Sequence, residues 1–149
     1  MNLVEENAPG LSGLETLRKL MSIGGRAPIG DTLSFALTDV ADGFSAFEGT
    51  PDVRAYNPIG TVHGGYAATL LDSACGCAVH SKLDANQAYT TVELKISYLS
   101  AITSKTGRLR AEGTVISMGR RVAFAEATLK DERGKLYATA TSTLLVMSR

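Results

Sequence analysis

Charge bias, a basic block, a leader-like apolar start and a cluster of metal ligands are all missing from this chain, and each absence removes a class of function. Fifteen Lys and Arg balance fifteen Asp and Glu, and no run of five basic residues occurs, so the electrostatic footprint of a nucleic-acid binder is lacking. No nucleic-acid partner is expected. The start, MNLVEENAPG, is acidic and has no apolar h-region, and the longest weakly polar stretch is short for a bilayer span and broken by Asp72. The expectation is an unexported cytoplasmic protein with no membrane partner. With two His and two Cys there is no ligand cluster for a metal, and no cofactor is expected. Cys75 and Cys77 stand two apart on a presumed helix, so they point to different faces and read as reduced packing residues.

What is present fits one domain over residues 1–149, 44% hydrophobic and without repeats or low-complexity tracts. Residues 1–30 form an N-terminal extension in which Ser12-Gly13-Leu14-Glu15 has capping-box spacing. Leu14, Leu17 and Met21 follow at helical intervals, predicting a short amphipathic helix packed on an edge of the domain. Two strands are predicted at Thr32–Thr38 and Gly43–Glu48, with Asp42-Gly43 as the turn, followed by a Pro/Gly loop over Thr50–Thr61. The segment Gly64–Leu83, long and without alternation, reads as a central helix buried on most sides. From Ala88 the period becomes two, with Val92, Leu94, Ile96 and Tyr98 on one face and Thr91, Glu93, Lys95 and Ser97 on the other. Further strands are predicted at Lys105–Ser117, Arg121–Lys130 and Lys135–Met147. The fold class is therefore α+β, an antiparallel sheet curved around one long helix, with a sheet face or edge left to pair with a second copy.

Asp72 is the best chemical clue. From Gly64 to Ser81 (GGYAATLLDSACGCAVHS) it is the only charged side chain, and a carboxylate withdrawn from water costs several kcal/mol unless it has partners or a task. At the start of the same helix the first-turn N–H groups of Gly64 and Gly65 have no intrahelical partner. One of them can donate to a carbonyl while the helix dipole favours an oxyanion. His80, near the helix end, reads as a surface partner of the dipole. On a straight helix the eight residues from Gly64 to Asp72 span ~12 Å, too far for both to touch one reacting carbonyl. Each site should then take Gly64 from one subunit and Asp72 from another, which makes a dimer obligatory.

The stretch Asn57–Gly76, NPIGTVHGGYAATLLDSACG, resembles the hotdog-fold acyl-CoA thioesterases of the phenylacetate-pathway (PaaI-like) group. The pattern is Asn, then His-Gly-Gly six residues on, then Asp eight residues beyond the first of those glycines. Asn57, His63, Gly64, Gly65 and Asp72 match it, and the resemblance extends over about residues 31–147. Ala101 departs from the Pro often found there. The resemblance implies hydrolysis of an acyl-CoA thioester to free acid and CoA, with Asp72 as general base or nucleophile. Asn57 would hold the water or the carboxylate, and His63 would order the loop or the thioester. The polar residue near the nucleophilic water falls on Thr91, with Thr90 as the competing alignment. Tyr66, Leu70 and Tyr89 are candidates to line an acyl pocket, and Arg120 and Arg121 to bind CoA phosphates. A homo-oligomer is implied, either a dimer or a dimer of dimers. Two rival readings are a non-catalytic acyl-CoA-binding hotdog protein and a hotdog hydratase or dehydratase.

Overall fold

The helices begin where local chemistry dictates. In this computed structural model, which describes residues 2–24 and 26–149, Ser12 and Glu15 cap each other reciprocally at the start of α2 (Gly13–Ser22), the Ser12 N–H donating to Glu15 Oε2 at 2.9 Å. Before it lies α1 (Leu3–Asn7), capped by Asn2. After it lies α3 (Pro28–Leu33), which opens on a proline, the ring that pre-sets the first helical φ and lacks only an N–H that would be unpaired anyway. This last helix takes up Thr32 and Leu33, which were expected to begin a strand. Ser34, with φ of 57°, stops the helix in the left-handed conformation.

Strands β1 (Phe35–Ala41) and β2 (Phe44–Gly49) then form a hairpin through Asp42-Gly43, where Gly43 takes φ of 74°. The loop beyond it, with one 3-10 turn at Val53–Ala55, leads to α4 (Gly64–His80), three residues shorter than expected. Four long strands complete the chain: β3 (Gln87–Tyr98), β4 (Leu109–Met118), β5 (Val122–Asp131) and β6 (Leu136–Ser148). Strand β4 starts at Leu109 and not at Lys105, because residues 103–107 close into a turn with Gly107 at φ of 82°. All six strands pair antiparallel in one sheet of order β1-β2-β4-β5-β6-β3.

Helix α4 packs against every strand of this sheet. Leu70, Leu71, Ala74, Cys75 and Val79 meet Leu109, Leu129 and Leu144 in a core without solvent contact; each leucine so buried contributes about 1.5–3 kcal/mol. The helix lies close to the sheet at one point, since a Cβ on Gly113 would collide with the Ala74 carbonyl. The Ser45 hydroxyl donates to that same carbonyl at 2.8 Å. Of the two sheet edges, β1 is covered by α2 and α3, whereas β3 has no further strand paired to its outer side among the described residues.

Strand β3 breaks the strict alternation read from its sequence. Thr91 pairs with Leu144 and Glu93 with Thr143, so Val92 is an extra residue, a bulge, and it is 59% exposed. Because the side-chain period is two, one inserted residue moves everything before it to the opposite face. Val92 was expected to share the inner face with Leu94 and Ile96, and it does not. Tyr89 and Thr91 turn inward toward α4 instead, and Thr90 points to solvent.

Candidate active site

The bulge decides what faces Asp72. Thr91 Oγ1 donates to Asp72 Oδ1 at 3.0 Å, the carboxylate being half-buried on α4. Of the two threonines considered, Thr91 is the one in contact and Thr90 faces away. Around the pair is a cavity of about 270 Å³ whose walls come from α4, β3, β1, β2 and the N-terminal helices. Its charged lining groups among the described residues are Asp72 and Arg26. Cys77 and Tyr89 line it as well, and burial pushes the Cys77 thiol up to about 12 and the Tyr89 hydroxyl well above its ordinary value.

The other end of α4 builds a second feature. His63 is the N-cap: its Nδ1 accepts from the Gly65 N–H at 2.8 Å, which requires that nitrogen to present its lone pair. Gly64 is consequently the first helical residue, and its N–H has no acceptor among the described residues. Tyr98 Oη donates to the Gly64 carbonyl at 2.7 Å and so fixes the helix start to the end of β3. Gly64, His63 and Tyr98 border a cleft of about 330 Å³ that excludes Asp72. In one chain, then, the free N–H and the carboxylate open into different cavities, as the ~12 Å of helix between them requires.

Asn57 organises the loop that delivers His63. Its Oδ1 accepts from the Ile59 and Thr61 N–H groups, both at 3.1 Å, and its Nδ2 donates to Thr61 Oγ1 at 2.8 Å. Arg120 and Arg121 are exposed, form no salt bridge among the described residues, and border a groove of about 720 Å³ with Gln87 and Met147. Of the three acyl-pocket candidates, Tyr89 lines the Asp72 cavity and Leu70 is fully core. Tyr66 instead borders a separate hollow of about 60 Å³, where its buried hydroxyl lacks a partner among the described residues.

His80 corrects an expectation. It is a half-buried residue whose ring packs edge-on against Tyr89 at 5.6 Å, and burial holds its pKa down to about 4, so it is neutral and not a charged partner of the helix dipole. The sequence reading missed Tyr98 and the N-terminal wall of the Asp72 cavity. Capping chemistry announced α2, but only the tertiary packing shows what it covers.

Residues 59–138, more than half of the chain, match the family model described as "Thioesterase superfamily". The chain belongs to the thioesterase superfamily. Over 72 residues it is 42% identical to a Halobacterium salinarum protein provisionally named an esterase, a match spanning 47% of this chain and 46% of that one. Among solved structures, a thioesterase family protein from Silicibacter pomeroyi superposes with a TM-score of 0.80 at 27% identity, covering 93% of this chain and all of the other. The PaaI protein of the E. coli phenylacetic acid degradation operon gives 0.77 at 17% identity, over 88% and 92% of the two chains, a likeness of fold. The hotdog thioesterase resemblance read from the sequence agrees with these findings. No helix among the described residues is long and apolar enough to cross a membrane.

Proposed function

We propose that the protein is an acyl-CoA thioesterase, hydrolysing a thioester to the carboxylic acid and the free CoA thiol. The observation that carries this reading is the Thr91–Asp72 hydrogen bond at the wall of a largely apolar cavity. A carboxylate held by a hydroxyl beside an open apolar space is a base or nucleophile aimed at a substrate that is itself mostly apolar.

Asp72 takes a proton from water as the water attacks the thioester carbon, or attacks that carbon itself to form an anhydride that water then opens. Both routes place negative charge on the former carbonyl oxygen. The Gly64 N–H at the positive end of α4, without an acceptor among the described residues, meets it. Collapse of the tetrahedral species breaks the carbon–sulfur bond and expels the CoA thiolate, which takes up the released proton. Thr91 orients the carboxylate in either route, and His63 and Asn57 hold the loop that sets the Gly64 N–H.

Gly64 and Asp72 open into separate cavities, so each site is composite, with Gly64 from one protomer and Asp72 from its partner. The bare β3 edge offers the means of pairing. Antiparallel pairing of two such edges about a two-fold axis would lay the end of one β3, where Tyr98 holds Gly64, alongside the start of the other, where Gln87 neighbours Arg120 and Arg121. The two guanidinium groups would then face the CoA phosphates of the partner's substrate.

The test is turnover of a panel of acyl-CoAs, read by thiol release, with Asp72→Asn as the control. The wild type should release thiol, and the nearly isosteric variant should lose at least ~100-fold in kcat with KM little changed. Full activity in the folded variant would remove Asp72 from the chemistry.

A further inference from the structure

The cavity around Asp72 measures about 270 Å³ and opens to solvent, so a small molecule can enter it, and its size approaches that of small-molecule sites. Its lining is also divided. Asp72, Ser73 and Thr91 supply polar groups from α4 and β3, Phe35, Leu37 and Phe47 apolar groups from β1 and β2, and Leu3, Leu17 and Leu20 an aliphatic wall from α1 and α2, continued by Ile29 of α3. An occupant must therefore be polar where it meets Asp72 and apolar along the faces of α1–α3, with the exposed Arg26 between α2 and α3 as the cation of the lining. The helical wall lies wholly outside residues 59–138, the part that matches the superfamily model, so the common core of the family does not supply it.

We propose that the N-terminal helices α1–α3 form the acyl-selecting wall of the active site, and that the cavity takes a straight aliphatic acyl group of about ten carbons. The proposal rests on the thioesterase reading and adds the substrate class. Size sets the limit: a cavity of ~150 Å³ accommodates benzene, six carbons, so this volume holds about ten. The nucleotide half of CoA has no room there. Depth is fixed at α4, where Gly76 lets the Tyr89 ring lie against the helix; a Cβ at position 76 would come within 2.8 Å of the tyrosine oxygen. Leu20 is the most useful probe because it is only half-buried and sits on a surface helix, so its substitution spares the main core.

The experiment measures kcat/KM for straight-chain acyl-CoAs from two to sixteen carbons. In the wild type the value should rise about fourfold per methylene, the transfer free energy of one buried CH₂, and level off near ten carbons. Leu20→Trp, which fills the cavity, should lower the octanoyl-to-acetyl ratio of kcat/KM at least tenfold, and Leu20→Ala should move the optimum to longer chains. Ratios unchanged within threefold in both variants would overturn the proposal. If the wild type hydrolyses no acyl-CoA, the thioesterase reading fails separately, and calorimetric titration with decanoate decides the cavity's role. Binding by the wild type that Leu20→Trp abolishes supports the apolar acyl site, whereas absence of binding to the wild type overturns it.

Discussion

Two residues on α4 show how burial changes the meaning of a side chain. Asp72 keeps a hydroxyl partner and faces an open cavity, so its carboxyl group is held in place and reachable. His80, two turns on, packs against Tyr89 and is held neutral with its pKa lowered from 6.5 to about 4. Between pH 4 and 6.5 the unfolded chain carries a proton on this imidazole and the folded chain does not, so stability increases with pH across that window and the gain is complete above 6.5. Acidification from pH 7 to 4.5 should therefore destabilise the wild type more than His80→Gln, which cannot titrate. Urea denaturation at the two pH values checks it, and equal pH dependence in both proteins would contradict a neutral buried His80.

At the level of elements, much of the fold was legible because local signals agreed with the global arrangement. Ser12 and Glu15 marked α2, Asp42-Gly43 marked the first hairpin, and the uncharged run after His63 marked the central helix. What escaped depended on tertiary context. Pro28 could equally have opened a loop, so α3 was missed. No residue type announces that Val92 is extra in its strand, yet that bulge is what turns Thr91, and not Thr90, toward Asp72. The family pattern located the candidate site residues, but which of them meet was decided by the sheet register. The β4–β5 connection carries its own prediction. If Arg120 and Arg121 meet CoA phosphates, replacing both with Ala should raise KM for acyl-CoA about tenfold or more. A pantetheine thioester of the same acid, which lacks the nucleotide, should be affected less than twofold. Steady-state kinetics on the two substrates make the comparison, and equal effects would dismiss the phosphate contact.

At the level of the whole molecule, a composite site predicts complementation. Asp72→Asn removes the carboxylate, and Gly64→Pro removes the N–H at the first helical position, where proline is ordinarily accepted. Each homodimer should be inactive. A dimer of one with the other has one site with both lesions and one with neither, so refolding an equal mixture should restore about a quarter of wild-type activity. No recovery, with mixed dimers verified by native mass spectrometry, would mean that each chain serves its own site. The two cysteines bear on how such experiments can be read. Burial first, and the Asp72 charge second, lifts both thiols from 9.0 to about 12, leaving about a thousandth of the thiolate that a free cysteine would present to a disulfide reagent. A chromogenic disulfide added to follow CoA release should therefore find the folded protein silent. Once the chain opens, two further equivalents of colour per protomer should appear, so the reagent that times catalysis would also time unfolding in the same cuvette.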